Sequence, residues 1–289
     1  MAYADVLIAP RDLYEHLADP RWRVVDCRFE LLQPDKGYAD YRAGHVPGAV
    51  YAHLDRDLAG PVTPATGRHP LPDPRIFAAT LGRWGITRST SVVAYDQAGG
   101  GIAARLWWLL RWLGHRRGVL LDGGFAAWRR AGLPATDELP EITPATYEGQ
   151  PDHRKAVSTE DVRQRLEQGE RLVDAREPER FAGSREPIDA VAGHVPGAVN
   201  FPLRMSLNED GTWRRPEELR RAWEPLLGRG RDGSWITMCG SGVTACHLAV
   251  SAELAGFREP RLYAGSFSEW IRDPGRPVAT GPGGAGDLP

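Results

Sequence analysis

The sequence contains an internal repeat, and this repeat limits the possible fold more than any other feature. Residues 43–50 and 192–199 are identical, both reading AGHVPGAV, and the two copies lie 149 residues apart. Self-similarity at a long separation is the signature of a duplicated structural unit. The chain has 289 residues, which is ample for two domains of ordinary size. The sequence therefore predicts two related domains in tandem.

Three further landmarks recur in the same order in both halves. The first is an apolar run ending in Asp-x-Arg, at residues 24–28 and 172–176. The second is a small-residue helix start, at residues 101–104 and 242–245. The third is a Gly-containing turn followed by Phe and Trp, at residues 121–128 and 262–270. Predicted strands and helices alternate along each half, which favours a parallel sheet. The predicted fold class is α/β, with tandem domains that are each a small parallel sheet flanked by helices on both faces.

The repeat and the local composition also set the expected domain boundaries. We expect an N-terminal domain over residues 1–139 and a C-terminal domain over residues 156–280. Residues 140–155 are rich in Pro, Thr and Glu, which predicts a linker. Residues 281–289 are dominated by Gly and Pro and predict a flexible tail.

The strongest candidate for chemistry is Cys239. It follows an apolar run, Trp235–Met238, that predicts a buried strand, and a helical pattern follows it and stops at Gly256. In parallel α/β sheets, sites form at the carboxyl ends of the strands. Gly240 and Gly242 allow successive backbone N–H groups to turn inward and form an anion-binding nest. A cysteine in such a loop is expected to be largely thiolate near neutral pH and to act as a nucleophile.

The first half differs from the second in this loop. Asp96 stands nearest to the position of Cys239, in a loop that is about one residue longer and has no cysteine. A carboxylate among backbone N–H groups is well satisfied as a structural cap. We therefore expect the N-terminal domain to be inactive and to support the C-terminal, catalytic domain.

Composition excludes several classes of function. The formal net charge is −2, so neither nucleic acid nor a membrane surface is an expected partner. Three cysteines in a chain of this size favour a reducing compartment, and the start of the chain has no secretory signal pattern, so we expect a cytoplasmic protein. Cys239, Cys246 and His247 lack the spacing of a metal site. We expect a monomer that uses no metal and no cofactor.

Taken together, these residues resemble the two-domain sulfurtransferases of the rhodanese superfamily, and the likeness covers nearly the whole chain. It rests on the repeated GHVPGA motif, the two Asp-x-Arg runs and the CGSGVTA sequence that begins at Cys239. The resemblance implies that Cys239 takes a sulfane sulfur from a donor and becomes a persulfide. The persulfide then gives the sulfur to a thiophilic acceptor such as cyanide, a thiol or thioredoxin.

The residues after the cysteine separate branches of this superfamily. Thiosulfate sulfurtransferases usually carry cationic residues there, whereas Gly240 and Ser241 resemble the 3-mercaptopyruvate sulfurtransferases. Small donors are therefore the expected partners, with 3-mercaptopyruvate favoured and thiosulfate as the alternative. The backbone N–H groups of residues 240–244, which include Gly242, Val243 and Thr244, are expected to bind the persulfide.

The resemblance also implies a set of donor-binding side chains. Arg180 matches an arginine placed for the donor carboxylate. The family often has a second arginine in a Glu-Pro-Arg triplet, but here Ile188 stands in its place. Either Arg185 substitutes for it or the second contact is missing. Arg176 either pins the loop at the strand end or contacts the substrate.

A proton relay near the donor keto group is implied as well. Ser241 is expected to work with His45 and with an acid, either Asp35 or Asp40. The competing interpretation is that His45 is structural, because His194 occupies the same motif position in the other half.

Two rival functions are weighed against this one. A phosphatase of the Cys-x5-Arg type would need an arginine at position 245, where the chain has Ala245. A non-catalytic binding module would carry Cys239 as an inert thiol. The rate of alkylation near neutral pH separates the second rival from the enzyme, because a reactive thiolate is modified quickly.

Overall fold

The structure is a computed structural model that describes residues 5–227 and 233–283. It divides into two compact units. The N-terminal unit comprises residues 5–60, residues 71–152 and residues 207–214. The C-terminal unit comprises residues 61–70, residues 153–206 and the described residues from 215 to 283.

The two units do not correspond to the two halves of the chain, because two short segments belong to the opposite unit. Residues 61–70, from the first half of the sequence, belong to the C-terminal unit, and residues 207–214 belong to the N-terminal unit. Residues 140–152 of the predicted linker carry no helix or strand and belong to the N-terminal unit. The predicted tail lies outside the described residues from residue 284 onward.

Each unit is built on one five-stranded sheet. The strands of the N-terminal unit are β1 (Leu7–Ile8), β2 (Trp22–Asp26), β3 (Val50–Tyr51), β4 (Ser91–Tyr95) and β5 (Gly118–Leu121). Those of the C-terminal unit are β6 (Ala156–Val157), β7 (Arg171–Asp174), β8 (Val199–Asn200), β9 (Trp235–Met238) and β10 (Arg261–Tyr263). The spatial orders are β1-β5-β4-β2-β3 and β6-β10-β9-β7-β8, and all the pairings are parallel. The same order in both units confirms the predicted α/β fold and the duplication.

Helices flank both sheets. Those of the N-terminal unit are α1 (Pro10–His16), α2 (Lys36–Ala43), α3 (Leu54–Asp57), α4 (Pro74–Arg83), α5 (Ala103–Trp112) and α6 (Gly124–Arg130). Those of the C-terminal unit are α7 (Thr159–Glu167), α8 (Pro178–Phe181), α9 (Pro216–Leu227), α10 (Ala245–Leu254) and α11 (Ser266–Trp270). Within the described residues, no helix combines the length and the apolar character needed to cross a membrane.

Local sequence signals set the ends of several helices. Helix α7 begins with a capping box in which Ser158 and Asp161 satisfy each other's backbone N–H groups. Helix α10, which follows the candidate cysteine, ends at Leu254, and Gly256 follows its C-cap with a φ of +77° that suits a glycine. The N–H groups of Gly256 and Phe257 donate to the carbonyls of Glu253 and Ala252, which completes a Schellman motif.

A buried ion pair fixes the loop next to the central strand in each unit. At the end of β7, Arg176 donates to both oxygens of Asp174, and its Nη2 also donates to the Gly193 carbonyl at 2.8 Å. At the end of β2, Arg28 makes the corresponding contacts with Asp26 and with the Gly44 carbonyl. The Asp-x-Arg runs therefore tie the strand ends to the repeated Gly-His motif.

In the N-terminal unit, Asp96 fills the loop that follows β4. Its carboxylate accepts from the backbone N–H groups of Gly100, Ile102 and Ala103 at 3.0, 2.8 and 3.1 Å. This confirms the interpretation of Asp96 as a structural cap. Burial raises the pKa of Asp96, although the three N–H bonds oppose this shift.

Replacing Asp96 tests this cap. We expect Asp96→Ala to lower the free energy of unfolding by about 2–4 kcal/mol, because buried N–H groups lose their acceptor. Asp96→Asn keeps one acceptor oxygen and avoids burying a charge, so it should cost about half as much. Equilibrium urea denaturation measures both. Equal stability of Asp96→Ala and the wild type would contradict the assignment.

Candidate active site

Cys239 lies between the end of strand β9 and the start of helix α10, at the carboxyl edge of the C-terminal sheet. The residue is buried, with 2% of its surface exposed. The backbone N–H groups of Ser241 and Gly242 donate to its Sγ at 3.4 and 3.1 Å. The two N–H groups form part of an anion-binding nest around this sulfur.

The two glycines of this loop are required for different reasons. Gly242 has a φ of +77°, and an added Cβ would lie 2.3 Å from the Ala264 carbonyl oxygen. Gly240 lies outside the left-handed region, but an added Cβ would lie 2.8 Å from Nη2 of Arg68 and 3.4 Å from Nη2 of Arg180. Gly242 therefore allows the turn, whereas Gly240 leaves room for two guanidinium groups.

A strained serine holds the backbone of the cysteine. Ser266 Oγ accepts from the Cys239 N–H at 3.1 Å and donates to the Tyr263 carbonyl at 2.8 Å. Its φ of +53° makes it the single non-glycine residue with positive φ among those described. Gly124 has a φ of +58° at the matching place in the N-terminal unit. The strain at Ser266 costs about 1–2 kcal/mol and places a hydroxyl beside the cysteine.

Residues 61–70 bring side chains to this site from the first half of the sequence. Helix α11 and Arg272, which follows it, anchor the segment through three bonds. The Gly67 N–H donates to Glu269 at 3.3 Å, the Arg68 N–H donates to Ser268 Oγ at 3.1 Å, and Arg272 donates to the Thr66 carbonyl at 3.3 Å. These bonds fix the positions of Arg68 and of the residue that follows it.

The histidine beside Ser241 is His69, which the sequence analysis did not identify. His69 Nδ1 lies 2.7 Å from Ser241 Oγ, and both residues are buried. The structure thus gives Ser241 a different partner from the predicted His45. One signal was available in the sequence, since the Arg68-His69 pair occurs in the first half and has no counterpart in the second.

His45 is occupied elsewhere, within the N-terminal unit. Its Nδ1 lies 2.7 Å from the Tyr41 carbonyl oxygen, and its Nε2 lies 3.1 Å from the Glu138 carbonyl oxygen. His194 Nδ1 contacts the Phe181 carbonyl in the same way, at 2.9 Å. Each of these histidines also stacks on the aromatic ring whose carbonyl it contacts. This agreement between the two halves favours the structural interpretation of His45.

The predicted acids of His45 are also paired elsewhere. Asp35 is exposed and forms an ion pair with Arg56 at 3.5 Å, and Asp40 pairs with Lys36 at 2.7 Å. Because both ring nitrogens of His45 face carbonyl oxygens, neither carboxylate has a ring nitrogen to bind. The predicted pairing of His45 with Asp35 or Asp40 is therefore wrong.

Arg180 lies beside the cysteine loop and is held by two carboxylates. Its Nε donates to both oxygens of Glu186 at 3.0 Å, and its Nη2 donates to Asp189 at 2.9 Å. Arg68 forms an ion pair with the other oxygen of Asp189. Burial opposes ionisation of Glu186, but bonds from Arg180 and from two backbone N–H groups outweigh it and lower the pKa of that carboxyl.

The remaining predicted residues lie in different environments. Arg176 is buried by its contacts with Asp174 and Gly193 and lies over the Phe267 ring, so its visible role is structural. Arg185 is exposed. Val243 and Thr244 complete the loop before α10. Substrate contacts by these residues stay predictions. Among residues 5–227 and 233–283, no group of three His, Cys, Asp or Glu side chains is placed to hold a metal ion.

Comparison with known proteins identifies relatives over almost the whole chain. The profile of the Rhodanese-like domain family matches residues 9–131 and 158–273. A probable 3-mercaptopyruvate sulfurtransferase of Pseudomonas aeruginosa is 49% identical over 279 residues, or 95% of this chain and 98% of that protein. A putative thiosulfate sulfurtransferase of Mycobacterium tuberculosis is 38% identical over 262 residues, or 89% and 90%. The structure is similar to that of 3-mercaptopyruvate sulfurtransferase from Leishmania major, with a TM-score of 0.81, 31% identity, and coverage of 93% of this chain and 75% of that one.

The strained serine yields a stability prediction. We expect Ser266→Ala to lower the free energy of unfolding by about 1–3 kcal/mol, because the buried Cys239 N–H loses its acceptor while the strain remains. Ser266→Gly loses the same acceptor but relieves the strain, so it should be less destabilised than Ser266→Ala. Urea denaturation ranks the two variants. The reverse ranking would be inconsistent with a strained hydroxyl anchor.

Proposed function

We propose that this protein, which belongs to the rhodanese-like domain family, is a sulfurtransferase that moves a sulfane sulfur from 3-mercaptopyruvate through a persulfide on Cys239 to a thiophilic acceptor. The observation that carries the proposal is the environment of one sulfur atom. Two backbone N–H groups donate to Cys239 Sγ, and a serine–histidine pair and two arginines adjoin the same loop.

In the first half-reaction, the thiolate of Cys239 attacks the sulfur of the donor. A sulfur–sulfur bond forms and the carbon–sulfur bond of the donor breaks, so that its electron pair passes into the enolate of pyruvate. The thiol proton of the donor ends on the enolate carbon, which yields pyruvate. The N–H groups of Ser241 and Gly242 are placed to stabilise the negative charge that stays on the persulfide.

Ser241 and His69 are suited to the proton movement in this step. The hydroxyl and the imidazole are in hydrogen-bond contact at 2.7 Å, so the pair can carry the proton from the donor thiol to the enolate carbon. A hydroxyl beside the keto oxygen also stabilises the developing enolate by donating to it. We assign Ser241 and His69 this role in place of the predicted Ser241 and His45.

In the second half-reaction, the acceptor attacks the outer sulfur of the persulfide. The sulfur–sulfur bond breaks and the acceptor keeps the outer sulfur. The electron pair of the broken bond returns to Cys239, which becomes a thiolate again. Cyanide would become thiocyanate, and a thiol would become a persulfide. We propose thioredoxin or a small thiol as the acceptor, acting on a monomer in the cytoplasm. No disulfide bond links the three cysteines, which supports a reducing compartment.

The charges near Cys239 favour a monoanionic donor over a dianion. No Lys or Arg occurs in the loop from residue 240 to residue 244. Arg68 and Arg180 are balanced by Glu186 and Asp189, so the cluster has no net positive charge. The single carboxylate of 3-mercaptopyruvate needs less compensation than thiosulfate does. Thiosulfate remains the second candidate, since one relative is named for it.

The function is tested with both donors and with a matched cysteine variant. We expect kcat/KM for 3-mercaptopyruvate, with cyanide as acceptor, to exceed that for thiosulfate by more than about tenfold. Cys239→Ser should abolish transfer and should not gain the mass of one sulfur atom on incubation with donor. Cys246→Ser is the control, because that buried thiol lies in helix α10. A preference for thiosulfate would favour the second candidate, and an active Cys239→Ser would refute the mechanism.

The serine–histidine pair is tested separately. We expect His69→Gln to slow persulfide formation from 3-mercaptopyruvate by about 100-fold, because the proton relay is lost. His153→Gln is the control, since His153 is exposed in the same unit. Single-turnover mass spectrometry follows the step directly. An unchanged rate in His69→Gln would remove His69 from the mechanism.

A further inference from the structure

Arg68 is held in place by contacts on both its backbone and its side chain. Its N–H donates to Ser268 Oγ at 3.1 Å, and its guanidinium pairs with Asp189. The preceding residue, Gly67, packs so closely that an added Cβ would lie 2.4 Å from the Gly265 carbonyl oxygen. The arginine is therefore preorganised, which reduces the entropy lost when it binds a ligand.

Asp189 aligns Arg68 with Arg180. One oxygen of this carboxylate pairs with Arg68 Nη1, and the other accepts from Arg180 Nη2 at 2.9 Å. The Asp189 side chain is only 2% exposed, whereas those of Arg68 and Arg180 are 25% and 17% exposed. A buried carboxylate thus holds two guanidinium groups that remain partly accessible.

The two guanidinium groups converge on the space in front of Gly240, next to Cys239. Measured from a Cβ built on Gly240, Arg68 Nη2 lies at 2.8 Å and the two Nη atoms of Arg180 lie at 3.4 and 3.6 Å. Arg68 Nε is buried and, within the described part of the chain, has no hydrogen-bond partner. An unsatisfied buried donor of this kind is costly, and a bound anion would satisfy it.

From this geometry, and resting on the proposed function, we infer that Arg68 is the second donor-binding cation, which binds the carboxylate of 3-mercaptopyruvate together with Arg180. A carboxylate has two oxygens that can each accept from a guanidinium, so it fits between two such groups. Arg68 therefore supplies the second guanidinium group that the Ile188 position lacks. It does so from a segment about 120 residues earlier in the chain.

The alternative source of this cation is Arg185. Its side chain is exposed, while its backbone N–H donates to the Glu179 carbonyl at 3.2 Å. An exposed arginine binds a carboxylate weakly because both charges stay solvated. Arg68, by contrast, is partly buried and already aligned with Arg180 on Asp189.

The test compares three variants in steady-state assays with 3-mercaptopyruvate. We expect Arg68→Ala to raise KM by about 10- to 100-fold with a smaller change in kcat, because a charge-assisted contact to the donor is lost. Arg68→Lys keeps the charge but loses the planar group, so its KM should lie between those of Arg68→Ala and the wild type. Arg163→Ala is the control, since it removes the same charge from an exposed position in the same unit. A KM for Arg68→Ala equal to that of Arg163→Ala would overturn the inference.

A binding experiment gives a second readout that does not depend on turnover. Pyruvate, which has the keto acid but no sulfur, is titrated calorimetrically into Cys239→Ser and into the double variant Cys239→Ser/Arg68→Ala. We expect binding to weaken by about 10-fold or more in the double variant. Equal affinities would overturn the role of Arg68, as would an absence of pyruvate binding to Cys239→Ser. An absence of sulfur transfer from any donor by the wild type would instead refute the proposed function.

Discussion

A buried aspartate–arginine pair at the end of β2 and of β7, the strands next to the central one, sets the loop geometry on which the rest of each unit depends. In the C-terminal unit, Arg176 uses Nε and Nη2 on Asp174 and extends to the Gly193 carbonyl. Removal of one member of such a pair would leave an uncompensated buried charge, at a cost of about 3–5 kcal/mol. The same arrangement in the N-terminal unit explains why Asp-x-Arg recurs in both halves of the sequence.

The loops that follow the neighbouring strands, β4 and β9, differ between the two units. In the N-terminal unit, the carboxylate of Asp96 accepts the loop N–H groups, so the chain itself occupies the anion position. Leu207 and Trp213 pack on the glycines of that loop, since Cβ atoms added at Gly99 and Gly100 would lie 2.6 and 3.5 Å from them. The anion position of this loop is therefore filled by a side chain and covered by apolar groups.

In the C-terminal unit, the sulfur of Cys239 takes the position of that carboxylate, and the covering segment is polar. Residues 61–70 bring Arg68 and His69 to this loop, whereas residues 207–214 bring Leu207 and Trp213 to the corresponding loop of the N-terminal unit. The duplicated units thus differ at two places that bear on the site. One is the residue that faces the loop N–H groups, and the other is the segment between the third strand and the following long helix.

These divergent places explain what could be predicted from the sequence. Residues present in both halves specify the common fold, so the repeat predicted the parallel sheets. Comparison of the two halves also predicted that Asp96 caps the N-terminal loop. His69 was missed because it lies 172 residues from Ser241 in the chain, and local spacing carries no information about such a contact. Ser266 was missed because its left-handed backbone contradicts local preference, which is typical of functional sites.

The missed residues also show why His45 was a misleading candidate. A histidine that occurs in both halves serves what both halves share, and the ring contacts of His45 and His194 are indeed equivalent. Under the proposed function, catalysis belongs to one half, so its side chains should be sought among residues without a counterpart. Cys239, Ser241, His69 and Arg68 all meet this criterion. In a duplicated protein with one active half, subtracting the repeat is therefore a better guide to the site than the repeat itself.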